Sequence, residues 1–167
     1  MKNLLSLFTM LLSVAQLNSY AQQAKIVGDD EKRYTIEVPS TWTRTVSNSL
    51  FVNVIFYNDT AQKDEHLYII YSKNTSNLKT AYNGNKKSQS ELKNFKLIKE
   101  GDGFINEEPC KWMEYTFTSD NGSTFKGKQY TIKKGPYGFT VQFLLSDSTY
   151  DSKKDNFEKI ISSFKLK

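Results

Sequence analysis

The chain has 167 residues, 23 of them lysine or arginine against 18 aspartate or glutamate, a formal net charge of +5 and a mean hydropathy of −0.59. The basic excess is thin and scattered over the lysine doublets of "NKKS", "IKKG" and "SKKD", which argues against a nucleic-acid partner and fits a solvated surface; mild attraction to an anionic membrane surface or an acidic partner stays open. A single cysteine excludes an internal disulfide, and one cysteine with one histidine excludes an ordinary zinc site.

The first segment reads as an address. Lys2 gives a basic start, Leu4 to Ala15 is largely apolar, and Ser19-Tyr20-Ala21 places small residues three and one before a cut after Ala21, the pattern of a cleavable secretory signal over residues 1–21. The apolar run is 12 residues long, short of the roughly 20 that a membrane-spanning helix needs. Cys110 is too far from that cut to take a lipid anchor. The expected product is residues 22–167, a single domain without stable membrane insertion, delivered to the periplasm or secreted.

Period-2 alternation follows. In "YTIEVP" Tyr34, Ile36 and Val38 share one face, and Pro39, lacking an amide hydrogen, ends the strand. "SLFVNVIFYN" and "HLYIIYS" are apolar on both faces and read as a central antiparallel pair flanking the polar loop "NDTAQKDE". From Asn77 to Phe95 the period shifts towards 3.6, with Leu78, Ala81, Tyr82, Asn85, Gln89 and Leu92 on one stripe, so the spacing predicts a helix. Asn83-Gly84 in its middle predicts either a bend or a later start.

"FKLIKEGDGFI" reads as a strand with a Gly-rich turn, and "CKWMEYTFTSDNGSTFKGKQYTIKKGPYGFTVQFLL" as a three-strand meander turning at Asp120-Asn121-Gly122 and Lys134-Gly135-Pro136. Met113, Tyr115 and Phe117 share a face opposed by Trp112, Glu114, Thr116 and Thr118, and Phe139, Val141 and Phe143 alternate with Thr140 and Gln142, so one face reads as buried and the other as mostly wet. At the end Phe157, Ile160, Ile161 and Phe164 fall at i, i+3, i+4 and i+7, a helix capped by Asp151 or Ser152 that must lie on the sheet. The expected fold is α+β, a curled antiparallel β-sheet packed with helices.

Residues with chemistry are few. His66 stands alone at the start of a strand and reads as a solvated turn residue, which leaves no base for a hydrolytic triad. Asp29-Asp30-Glu31 and Asn58-Asp59 with Asp64-Glu65 are oxygen-rich but follow no calcium-loop spacing. Gly101-x-Gly103 is isolated and reads as a turn instead of a phosphate cradle, and Cys110 reads as a small buried apolar side chain. No catalytic residue, metal or cofactor is expected. Trp112 shares its strand face with Glu114 and Thr116, not with the core residues, and is either covered by the second helix or available to a partner.

Taken in order, Tyr34-x-Ile36-x-Val38, Pro39-x-x-Trp42, Gly101-x-Gly103, "WMEYTF", "KGKQYTIKKGPYGFTVQF" and "DNFEKIISSFKL" resemble the PsbP-like family over most of the chain beyond the leader. The pattern departs at "NEEPC", where related chains carry a shorter turn with Gly and Ala. The resemblance implies the α/β/α sandwich that PsbP-like proteins share with the Ran-binding Mog proteins, with Trp42 as a packing residue. It also implies a bacterial, exported, non-enzymatic binding or accessory protein that docks on a partner in the cell envelope. Trp112, Glu114 and Thr116 are the expected contact surface. The competing expectation is a small-ligand binder or enzyme using an apolar pocket between sheet and helices.

Overall fold

The computed structural model describes residues 24–29, 31, 33–46, 54–58, 65–73 and 76–167. The expected leader, the loop before His66 and the oxygen donors Asp30, Asp59 and Asp64 lie outside the described residues. In chain order the elements are β1 (Ala24–Gly28), β2 (Tyr34–Pro39), β3 (Trp42–Val46), β4 (Val54–Asn58), β5 (His66–Lys73), α1 (Leu78–Ser90), β6 (Lys96–Ile105), β7 (Glu108–Thr118), β8 (Thr124–Lys134), β9 (Tyr137–Ser146), α2 (Asp147–Ser162) and β10 (Lys165–Leu166).

These strands form two antiparallel sheets, one of seven strands in the order β3-β4-β5-β9-β8-β7-β6 and one of three in the order β1-β2-β10. The protein is thus α+β, with antiparallel sheets packed against helices. The expectation of one curled sheet leaves β2 without a stated partner. Tyr34, Ile36 and Val38 point from the small sheet into the large one and are at most 1% exposed. Pairing with β1 on one side and with Lys165 and Leu166 on the other holds β2 off the large sheet, at a distance its side chains fill.

The registers across the large sheet assign its faces. Trp42, Phe56, Leu67, Ile69, Phe139, Val141, Phe143, Leu145, Tyr130, Ile132, Cys110 and Trp112 share one face. The small sheet and α2 cover this face and build the main core with it. Phe143 stacks against Tyr150 at 5.8 Å and Phe157 at 5.2 Å, and Phe157 meets Trp42 at 5.2 Å. Helix α2 starts four residues before the Asp151 expected as its cap, with Ser146 at the cap position, and this adds Tyr150 to its buried stripe.

Helix α1 lies on the other face, over β7 and β8. It begins where the spacing put it, with the Asn77 side chain accepting from the Thr80 amide at 2.9 Å, and runs through Gly84 as one helix because Gly84 faces open space. Beneath it, Met113 and Tyr115 are fully buried, and Gln129 and Thr131, with the Thr140 and Gln142 expected on a wet face, are 8% exposed or less. Burying such groups requires partners. Asn85 Nδ2 donates to both Thr131 Oγ1 and Thr140 Oγ1 at 2.9 Å, and Gln89 Nε2 donates to Gln129 Oε1 at 3.1 Å.

Burial raises the phenol pKa of Tyr34, Tyr82, Tyr115, Tyr130 and Tyr150, with hydrogen bonds to Glu100 and Glu158 adding to the rise for Tyr82 and Tyr130. The folded state therefore favours the neutral phenol, and this stabilisation is complete below the ordinary tyrosine value of about 10 and is lost as pH rises beyond it. Ultraviolet titration of tyrosinate is expected to show these five rings ionising only as the chain unfolds in alkali. If all ten tyrosines titrated together near pH 10 in a still-folded chain, the described packing would be wrong.

Candidate binding surface

The surface expected from the sequence is a row along one face of β7, the α2 side of the large sheet. Hairpin geometry sets up that row. Asn106 and Glu107 form the two-residue connection between β6 and β7, both with positive φ, 43° and 69°. A two-residue hairpin turn with left-handed residues matches the twist of the paired strands. The turn that had been assigned to Gly101-x-Gly103 is therefore displaced to Asn106-Glu107, and β6 runs unbroken through both glycines. Asn106 does a second job: its Nδ2 donates to Ser162 O at 2.7 Å and Phe164 O at 2.8 Å, tying the hairpin tip to the C-terminal end of α2.

Gly101 and Gly103 then explain where Trp112 goes. Both face the α2 side, opposite Trp112 and Cys110, and the indole from β7 lies across them. A Cβ on Gly101 would sit 3.0 Å from the indole ring and one on Gly103 3.6 Å from it. Without those carbons the two residues form a shelf for the ring. Trp112 is half-buried and joins the margin of the main core, and α2, lying over β8 and β9, does not close over it. The ammonium groups of Lys99 and Lys128 stand 5.9 and 4.9 Å from its ring centre, within reach of cation–π attraction.

Glu114 occupies the middle of the row. It pairs with Lys126 at 3.0 Å, with both side chains about one-fifth exposed, and accepts a hydrogen bond from the Tyr150 hydroxyl. Lys128 and the Tyr130 hydroxyl both bond Glu158 of α2. Thr116, half-buried, ends the row opposite Lys126 and Lys96. The structure thus brings Trp112, Glu114 and Thr116 to one strand face, with Glu114 committed to Lys126 and Tyr150. Lys96 and Lys99 make no ion pair among the described residues, and a β-bulge between Leu97 and Lys99 turns Lys99 onto this face, across from Glu114. Nothing in the sequence marked Lys99, because its facing depends on that one-residue slip.

Other residues with chemistry are used locally. Cys110 is 2% exposed, and burial first, with Asp102 second, pushes its thiol up to about 11, so it is not a thiolate at neutral pH. His66 opens β5 with its ring 5.6 Å from Tyr68. Asp29 and Glu31 pair with Arg33, and Glu65 with Lys153. Among the described residues no group of three or more His, Cys, Asp or Glu is placed to hold a metal ion, and no helix is long and apolar enough to cross a membrane.

One concavity stands apart from the Trp112 row. A cleft of about 570 Å³ opens between β2 and α2, with Val38, Pro39, Trp42, Phe157 and Ile160 at its base and the Glu65–Lys153 pair on its wall. Trp42, 5% exposed, serves packing and the cleft floor together.

Among solved structures the fold is similar to three proteins of different settings. The cyanobacterial PsbP protein CyanoP from Synechocystis sp. PCC 6803 has a TM-score of 0.67 at 18% identity, over 87% of this chain and 94% of that one. LpqN, involved in cell envelope biogenesis of Mycobacterium tuberculosis, has a TM-score of 0.66 at 11% identity, over 86% and 90%. The Saccharomyces cerevisiae Ran-binding protein Mog1p has a TM-score of 0.59 at 11% identity, over 87% and 96%. The chain therefore has the PsbP-like fold that its ordered motifs resembled. No family model and no curated protein matches it by sequence.

Two substitutions check the geometry. Asn106→Asp preserves the shape and the tolerance of positive φ but turns a donor into a carboxylate facing two carbonyls, and should cost about 1–3 kcal/mol in denaturant unfolding. Gly101→Val should push the Trp112 ring off its shelf and raise the fraction of tryptophan emission quenched by acrylamide, with Trp42 still protected.

Proposed function

We propose that this chain is an exported, non-enzymatic accessory protein of the cell envelope that docks on a protein partner through the Trp112, Glu114 and Thr116 face of β7. The observation that carries this reading is a half-buried indole held at a sheet margin by two glycines and flanked by Lys99 and Lys128. A flat aromatic surface with charges at its rim is the kind of patch that protein interfaces anchor on. The neighbours in fold agree in kind: one is named for binding Ran and another for a part in envelope biogenesis. Export rests on the leader pattern of residues 1–21.

On this face Glu114 is committed to Lys126 and Tyr150 and the Cys110 thiol is held protonated, which supports binding over catalysis. A second reading is favoured by the cleft between β2 and α2, whose apolar base and single ion pair suit a small amphipathic molecule.

Crosslinking of the protein in its native envelope, followed by identification of the attached proteins, tests both. In Trp112→Ala the captured partners are expected to disappear while unfolding stays cooperative, with a stability loss of about 1–3 kcal/mol. A larger loss with the same partners captured would make Trp112 a packing residue and overturn the docking face. A small molecule co-purifying in the cleft, with no captured protein, would put the second reading first.

A further inference from the structure

Among the described residues four large apolar side chains are exposed, and all sit on strands at sheet ends: Ile26 on β1 at 71%, Val46 on β3 at 55%, and Ile98 and Phe104 on β6 at 50% and 75%. The strands β1 and β3 abut residues outside the described set. β6 is described on both sides and pairs only with β7 among the described residues. An edge strand of 10 residues whose outer backbone groups meet no strand among the described residues, with Asp102 O alone accepting from Trp112 Nε1 at 3.4 Å, invites another strand unless something blocks it.

The two halves of β6 differ in that respect. The first half carries Lys96, Lys99 and the bulge after Leu97, all of which discourage pairing. The second half, Glu100 to Ile105, keeps an unbroken register against Met113 to Glu108 and contains no lysine, proline or bulge. Its charges, Glu100 and Asp102, are paired with Lys86 and Lys111, so it is the less guarded part.

What could lie along it is limited by charge and shape. A second copy paired two-fold antiparallel would set Glu100 opposite Asp102 when centred on Gly101, and Asp102 opposite itself when centred on Asp102, and like charges opposite one another destabilise a cross-strand pair. A foreign strand meets different surroundings. On the α2 side, positions opposite Gly101 and Gly103 find no side chain on β6, only the indole of Trp112 reaching over the glycines towards the edge. Two residues along on that same side is Lys99, whose cross-strand neighbour Glu114 is held by Lys126 and whose ammonium stands 5.9 Å from the Trp112 ring centre. On the other side Phe104 offers exposed apolar area.

We propose that the Glu100–Ile105 half of β6 takes an extended segment of a partner protein as an eighth strand of the large sheet, an apolar side chain of that segment resting on the outer edge of Trp112 and an acidic side chain two residues away pairing with Lys99. Main-chain hydrogen bonds supply attraction, and the two alternate side chains supply selectivity. This inference rests on the docking reading of the Trp112 face and adds the form and chemistry of what docks there.

The probe is a capped nonapeptide of alternating threonine and valine carrying one phenylalanine and a glutamate two residues from it. Amide exchange and amide chemical shifts of the protein are followed as it is added. Exchange of amides within residues 100–105 should slow about tenfold or more at saturation, as amides do when they enter a ladder. Replacing the peptide glutamate with lysine should weaken binding about threefold, the size of an exposed ion pair, and Lys99→Glu should restore it. A peptide N-methylated along one edge should not bind.

Equal binding by the N-methylated peptide, or shifts confined to β7 and β8, would overturn strand addition while leaving the Trp112 face as a docking site. Absence of binding at millimolar peptide would overturn it too. The docking reading itself fails separately, when Trp112→Ala leaves the crosslinked partners of the native envelope unchanged.

Discussion

Three rings from three parts of the chain hold the two sheets together. Tyr34 of β2, Phe139 of β9 and Phe164 beyond α2 lie 5.2 to 6.5 Å apart, each touching the other two. None of these residues is more than 3% exposed. Around them the ends of the described chain are tied: Lys167 N donates to Arg33 O at 2.9 Å, and the Arg33 guanidinium pairs with Asp29 and stacks 3.7 Å over the Tyr71 ring. Aromatic contacts of this kind add about 0.5–1.5 kcal/mol each beyond the area they bury. Because Phe164 and Leu166 are locked against β2, α2 has no freedom to slide towards β6. The far end of that sheet face, where Trp112 sits, is left without a lid as a result.

The opposite face is governed by a different match of lengths. Asn85 and Gln89 are one helical turn apart, about 6 Å along α1, and the cross-strand pairs Thr131–Thr140 and Gln129–Gln142 are two residues apart, about 6.8 Å along the strands. Each helix amide therefore meets one rung of the sheet. Tyr82 is the single buried apolar residue of α1, so hydrogen bonding sets the seat of this helix while Met113 and Tyr115 fill the space below. A polar interface of this sort fixes position more sharply than an oily one, since a shift of one residue would orphan several buried groups.

Much of this was legible in the residues. The stripe of Leu78, Ala81, Tyr82, Asn85, Gln89 and Leu92 is the face α1 turns to the sheet, and none of the six is exposed. Period-2 alternation placed Tyr34, Ile36 and Val38 inside, and i, i+3, i+4, i+7 spacing placed Phe157, Ile161 and Phe164. What failed depended on partners distant in sequence. Thr131, Gln129, Thr140 and Gln142 look like surface residues until Asn85 and Gln89, some 40 to 55 positions away, are laid over them. The separate small sheet escaped notice because β10 has only two residues, too few for any period. For the site, strand-face register placed Trp112, Glu114 and Thr116 together, but the glycine shelf and Lys99 could not be read: each depends on how β6 aligns with β7, and a bulge decides that alignment.

The glycine pair is where stability and binding separate. Large side chains at 101 and 103 would cover β6 and contribute apolar burial of about 1.5–3 kcal/mol each, and a sheet end built only for stability would carry them. This chain gives that up and lays one indole over two bare residues, so the ring keeps a face towards its own core and an edge towards the outside. The neighbouring charges follow the same division. Lys126 and Lys128 are neutralised by Glu114 and Glu158 and join the strands to α2, while Lys99 beyond the ring makes no ion pair among the described residues. Paired charges inside the ring and Lys99 outside it put the preference for an anionic group on the sheet's outer side.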